Sequence, residues 1–176
     1  ELNRIFTVLK DDVEAPDYVL LEFSANQVIF KYGNVELISR LIEGVYPDYR
    51  QIIPKDFKTE ALVDKNELRQ AIKSASLFAK SGLFDIHLKF DPDKGEVELF
   101  AADSGRGENR VALKADIQGI SNEITMNYRY ILDGLGAIDD EKIKIKVIDG
   151  ASPCFFEASQ KMANENFFYI VMPIRS

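Results

Sequence analysis

The stretch LIEGVYPDYRQIIP, residues 41–54, decides how the rest of the chain is read. An apolar strand end runs into Gly44. Pro47-Asp48-Tyr49-Arg50 follows, and the apolar pair Ile52-Ile53 is closed by Pro54. Residues 43–58 carry little regular pattern, so the chain crosses here between two units. Upstream, residues 18–23, 27–32 and 35–42 read as strands. They are separated by Ala25-Asn26 and by Gly33-Asn34, a strong hairpin signal. Before them, Leu2, Ile5, Phe6 and Leu9 fall at i, i+3, i+4 and i+7, which predicts a helix over 2–10. Asp11-Asp12 and Pro16 stop it.

Downstream, a short strand over 60–63 precedes the strongest helical pattern, 65–80. Strands are expected at 86–90, 96–101 and 109–117, with a turn at Asp91-Pro92-Asp93-Lys94-Gly95. A strand at 124–126 leads to Asn127, a good N-cap for a second helix over 128–138. Strands at 142–148, 154–158 and 167–174 complete the chain. The order repeats: a strand, a helix and three strands, twice. Residues 55–176 therefore read as one domain of two similar βαβββ halves. Residues 1–54 read as the second half of another such domain plus the crossover. The fold class is α+β, with helices on one face of antiparallel sheets.

The 176 residues carry 46% apolar residues and a net charge of −7. No apolar run approaches the ~18 residues of a membrane span. No basic segment followed by an apolar one opens the chain, so no export signal is expected. It opens without methionine on a helical pattern, which suggests a fragment. The single cysteine, Cys154, excludes an internal disulfide and sits in an apolar run as a buried thiol. The single histidine, His87, alternates with apolar residues and shares a solvent face with Lys89. The usual zinc sites and histidine-dependent triads are thereby set aside. Lys142, Lys144 and Lys146 read as the charged face of an ordinary strand. The acidic pairs near 11 and 140 lack the spacing of a cation loop. Gly105-Arg106-Gly107 lacks the strand–helix setting of a phosphate loop.

On a helical wheel Lys65, Arg69, Lys73 and Lys80 share an arc of roughly 80°, beside an apolar face of Leu68, Ala71, Ile72, Ala75, Phe78 and Ala79. Such a stripe can follow a phosphate backbone by charge alone; a plain solvated face is the other reading. Leu77 falls off the apolar arc, as an interface residue or a stray surface leucine. In the second helix Tyr130 lies opposite the apolar arc of Tyr128, Ile131, Leu132, Leu135 and Ile138.

The chain ends FFYIVMPIRS, residues 167–176. With Pro47-Asp48-Tyr49-Arg50 upstream, this ending resembles the bacterial DNA sliding clamps, the beta subunits of DNA polymerase III. In that family the crossover reads much like GxxPDYxxxxP and the terminus much like YxVMPxR. The resemblance implies a DNA-clamp fold that covers the second half of the middle domain and the whole third domain. It implies a cytoplasmic processivity factor, not an enzyme, with no cofactor and no membrane association. The full-length protein would be a homodimeric ring around duplex DNA, bound without regard to sequence. An acidic exterior suits a ring whose inner wall alone is basic.

By the same resemblance Lys65, Arg69, Lys73 and Lys80 face DNA, and Leu77 and Phe78 join the ring interface. A groove for short peptides of the replicative polymerase, the clamp loader and other partners is implied at Pro47, Gln51, Ile52, Asn127, Tyr130, Ser152, Pro153, Ile170, Met172, Pro173, Ile174 and Arg175. Gln51 stands where many members carry a second arginine. For Ile170 and Met172 a place in the core remains the open alternative. Two rival functions stand beside this one: a protein-interaction module without a DNA role, and a small carboxylate-dependent hydrolase.

Overall fold

A computed structural model describes residues 18–45, 48–54, 56–160 and 167–174. The helix expected over 2–10 lies outside them. The chain divides into two units, Glu1–Asp48 and Tyr49–Ser176. In the first unit, β1 (Leu20–Phe23), β2 (Gln27–Tyr32) and β3 (Val35–Arg40) form an antiparallel sheet in that order. Tyr32 pairs with Val35, so Gly33-Asn34 is the two-residue hairpin loop, with Gly33 at φ 56°. The left-handed backbone that such a loop needs costs glycine nothing. Leu20, Leu21, Phe23 and Ile38 are all exposed on this small sheet.

The second unit begins with a 3₁₀ turn, Tyr49–Gln51. Its elements are β4 (Thr59–Asp64), α1 (Lys65–Ser76), β5 (Asp85–Asp91), β6 (Glu96–Asp103), β7 (Gly107–Lys114), β8 (Asp116–Gly119), β9 (Asn122–Asn127), α2 (Tyr128–Ala137), β10 (Lys142–Val147), β11 (Cys154–Ala158) and β12 (Phe168–Val171). Two antiparallel sheets result, ordered β12-β11-β10-β4-β8 and β7-β6-β5-β9. The two halves thus exchange first strands. β4, which opens the first half, pairs with β10 of the second. β9, which opens the second, pairs with β5 of the first. Period-two burial gives each strand a core face, as in Thr59, Ala61 and Val63 of β4. α1 packs across β4 and β5–β7, and α2 lies on β9 and β12. The two helices also touch each other. Their apolar faces close one core with both sheets.

Both helices start where polar caps stand. The Asp64 carboxylate accepts from the Glu67 N–H at 2.9 Å, and the Asn127 side-chain oxygen accepts from the Arg129 N–H at 2.9 Å. Two expectations need correction. α1 ends at Ser76, not at 80: Leu77, Phe78 and Ala79 donate to the carbonyls three residues back, a tightened final turn. The strand expected over 109–117 is two strands in different sheets. Val111, Leu113, Ala115 and Ile117 alternate without interruption across the break, so periodicity could not reveal it. Ala115 at the corner donates to the Gly95 carbonyl at 2.8 Å.

Two glycines set close approaches. A Cβ at Gly119 would lie 1.9 Å from the Lys58 carbonyl oxygen, where β8 passes the crossover. A Cβ at Gly134 would lie 2.4 Å from Cδ1 of Tyr169, so α2 rests its backbone on the ring of β12. Gly136, one turn-half further along α2, has nothing within 4 Å of its virtual Cβ. Gly134→Ala should therefore destabilise the domain by about 1–3 kcal/mol through overpacking. Gly136→Ala should stabilise it by up to about 1 kcal/mol through helix propensity. Urea unfolding midpoints of the two variants check both signs; equal shifts would mean that α2 does not rest on Tyr169.

Candidate functional site

The last strand turns alternate residues to opposite sides. Val171 is buried in the core. Ile170 pairs with Phe155, which pairs with Lys146, so these three share the other face. Met172 continues that alternation and is 56% exposed, while Ile170 is half-buried. Neither is among the fully buried residues. Phe57, from the crossover, meets the Phe155 ring edge-on at 5.1 Å, and Phe168 lies 6.0 Å from Phe155 on its other side. By register Ile170 shares a sheet face with Phe155. Gln51 and Ile52 are exposed at the 3₁₀ turn, where the Ile52 N–H donates to the Tyr49 carbonyl at 3.0 Å.

The start of α2 lies beside this strand. Tyr130 is 57% exposed. It lies close enough to the Tyr169 phenol to help raise its pKa, after burial and the Asp133 carboxylate. The contact through Gly134 and the nearness of Tyr130 bring α2 and β12 together. Asn127 has two tasks: its oxygen caps α2, and its Nδ2 donates to the Leu83 carbonyl at 3.3 Å. Phe84 holds φ 55°, unusual for a bulky residue. It is held there by the Arg129 guanidinium, 3.5 Å above its ring, by the Tyr128 ring edge at 6.0 Å, and by the Tyr128 N–H, which donates to its carbonyl. Leu83 is thereby left half-exposed beside Asn127.

Ser152 and Pro153 are half-buried before β11. The Ser152 side chain and the N–H groups of Ala151 and Ser152 hydrogen-bond the Asp149 carboxylate and hold its pKa below the usual range, against a smaller opposing effect of burial. Pro173 is half-buried, and the Ile174 N–H donates to the Thr125 carbonyl at 2.8 Å. The terminal segment therefore leaves one sheet and ties itself to β9, the edge of the other. Pro47 and Arg175, also expected in this site, lie outside the described residues.

The basic stripe is shorter than the wheel implied. Arg69 and Lys73 are exposed on α1 and form no ion pair among the described residues. Lys65 instead turns its ammonium to the Ile138 carbonyl beyond α2, at 2.8 Å. Lys80 lies past the end of α1, 3.9 Å from the Asp85 carboxylate, so its place on the wheel does not hold. Leu77 and Phe78 part company as well. Leu77 is 67% exposed, and Phe78 packs against the core.

Among the described residues no group of three or more His, Cys, Asp or Glu could hold a metal ion, and Asp85 is the one buried carboxylate. Asp140 is half-buried. Burial pushes its carboxyl up, but N–H donations from Lys142 and Gln160 and the Ser159 hydroxyl outweigh that and hold it at about 2. It is a junction, not an acid. Burial pushes the Cys154 thiol up, which leaves it inert. His87 is exposed, as its alternation implied.

The placement of Leu77 and Phe78 is open to test. Leu77→Lys should move the unfolding free energy by less than about 0.5 kcal/mol, as surface changes do. Phe78→Ala should cost about 1–3 kcal/mol from lost core packing. Urea titration of both checks this, and a large loss for Leu77→Lys would place Leu77 in the core.

Comparison with known proteins bears on this geometry. A family profile described as the DNA polymerase III beta subunit, C-terminal domain, matches residues 50–175. A beta sliding clamp of Staphylococcus aureus is 30% identical over 177 aligned residues, which cover 100% of this chain and 44% of that protein. The chain thus spans less than half the length of this curated relative. A DNA polymerase sliding clamp crystal structure from Bacillus subtilis is 29% identical at a TM-score of 0.82, over 99% of this chain and 45% of that one. The DNA polymerase III beta subunit of Thermotoga maritima is 26% identical at a TM-score of 0.78, over 99% of this chain and 46% of that one.

Proposed function

The chain belongs to the DNA polymerase III beta subunit family, and we propose that it serves as a DNA polymerase processivity factor, a sliding clamp that makes and breaks no bonds. Residues 1–54 are the second half of a clamp middle domain plus the crossover, and residues 55–176 are a complete third domain. The exposed apolar residues of the first unit's sheet support this, because a finished domain covers such a surface. The full-length protein closes as a homodimeric ring around duplex DNA, with Leu77 at the subunit interface, and works in the cytoplasm. No described helix is long and apolar enough to cross a membrane.

Polymerase, clamp loader and other partners dock a short peptide on the terminal segment. One observation carries this reading: Met172 and Tyr130 stand out of the core, on two elements held together through Gly134 and Tyr169. Apolar surface of this kind, with an adaptable thioether, accepts leucine or phenylalanine side chains. Pro47, Gln51, Ile52, Asn127, Ser152, Pro153, Ile170, Pro173, Ile174 and Arg175 complete the groove. The test is a titration of a fluorescein-labelled synthetic peptide, Gln-Leu-Ser-Leu-Phe. Met172→Ala should weaken binding by roughly ten- to a hundredfold, the equivalent of one buried apolar side chain. Unchanged affinity removes the terminal strand from the site.

A protein-interaction module without a DNA role is the second reading, and the loss of Lys65 and Lys80 from the basic stripe favours it. Anisotropy of a labelled 20-base-pair duplex against salt separates the two. Each phosphate contact adds about 0.9 to the log–log salt slope. Arg69→Gln with Lys73→Gln should therefore lower the slope by about 2, and Lys94→Gln, on a remote turn, should not. An unchanged slope in the double variant favours the module.

A further inference from the structure

Beside the terminal segment lies a cavity of about 550 Å³ that the reading above does not use. Alternation along β9 puts Glu123, Thr125 and Asn127 on one face, at steps of about 7 Å, while Ile124 and Met126 are buried. β5 runs alongside, with His87 opposite Thr125 and Lys89 opposite Glu123. The terminal segment walls one side, because the Ile174 N–H is tied to the Thr125 carbonyl at 2.8 Å. The Gly150-Ala151 turn walls another; a Cβ at Gly150 would come within 3.0 Å of the Glu123 carbonyl. The cavity therefore shares Ile174 with the proposed peptide groove and continues the β9 face on which Asn127 stands.

Its chemistry differs from that of the groove. Thr125 Oγ1 and His87 Nδ1 are hydrogen-bonded at 2.7 Å, which orients the ring and leaves its Nε2 without a partner among the described residues. Lys89 and Glu123 are both exposed. They face each other across the strands, yet form no ion pair among the described residues. A donor, an acceptor and an imidazole edge thus border one cavity. Such a set suits a neutral group that offers both C=O and N–H or O–H. A carboxylate there would oppose Glu123, and an ammonium would oppose Lys89.

We propose that this cavity binds the polar, uncharged residues that flank the apolar anchors of the docked peptide, and so extends the groove into a second, hydrogen-bonding compartment. The proposal rests on the peptide-docking reading above. Lys89 donates to a flank carbonyl, Glu123 accepts from a flank N–H or hydroxyl, and His87, held by Thr125, takes the remaining polar contact. The groove then supplies affinity through apolar side chains, and the cavity distinguishes partners by their flanks.

The experiment compares three labelled peptides on the whole chain: Gln-Leu-Ser-Leu-Phe, the same peptide with Ser-Asn-Ser added at its amino end, and the same with Ser-Asn-Ser at its carboxyl end. One of the two extended peptides should bind about fivefold or more tightly than the short one, as one or two net hydrogen bonds allow. The double variant Lys89→Ala, Glu123→Ala should abolish that gain and leave the affinity for the short peptide and the unfolding midpoint unchanged. No gain from either extension, or a gain that survives the double variant, overturns the cavity assignment and leaves the groove standing. The same gain from a Val-Leu-Val extension overturns its polar character. If the short peptide does not bind at all, the groove reading fails first and the cavity with it.

Discussion

Strand exchange is the constraint on which the second unit depends. β4 opens the first half but completes the sheet of β10–β12, and β9 opens the second half but completes the sheet of β5–β7. The three-strand sheet of each half is thus extended by a strand from the other. β4 and β9 each run directly into a helix, so the exchange also places α1 and α2 side by side over one core. A two-half fold of this kind has no natural cut inside it, and the seams between halves are ladders of backbone hydrogen bonds.

The proposed peptide surface follows from that arrangement. Because β9 caps the edge of one sheet, the terminal segment can leave β12 and attach to it through Ile174 and Thr125. Because α2 begins where β9 ends, Asn127 is at once the last residue of a strand, a helix cap and a tie to Leu83. Because Gly134 lets α2 settle on Tyr169, Tyr130 stays near the last strand without entering the core. The proposed site thus lies at the junction of a helix start, a sheet edge and the segment after β12.

Charge is distributed in a way that the net value hides. Lys146 meets Glu157 at 2.8 Å, and Lys144 and Glu60 lie near the same pair, on a sheet face away from the helices. Those lysines serve the sheet. Arg69 and Lys73 serve no internal partner among the described residues, and that makes them the informative cations of the helical layer. An overall charge of −7 bears on solubility and nonspecific contacts more than on one helix face.

Much of this was legible in the sequence by itself. Alternation in β4, β5 and β10 and the helical spacing of Leu68, Ala71, Ile72 and Ala75 determined element types and core residues, because burial imposes those periods directly. The cap residue Asn127 marked the start of the second helix, and the motifs around Pro47 and Met172 pointed to the family. What only the tertiary structure decided has a common cause: it depends on contacts between segments distant in sequence. The break between β7 and β8 is a change of sheet, invisible to an unbroken alternation. Lys65 is drawn off the basic stripe by a carbonyl 73 residues away. Leu83 gains its place from Asn127, 44 residues on. The cavity beside Ile174 exists because the terminal segment lies on β9, and no local pattern in the sequence encodes that contact.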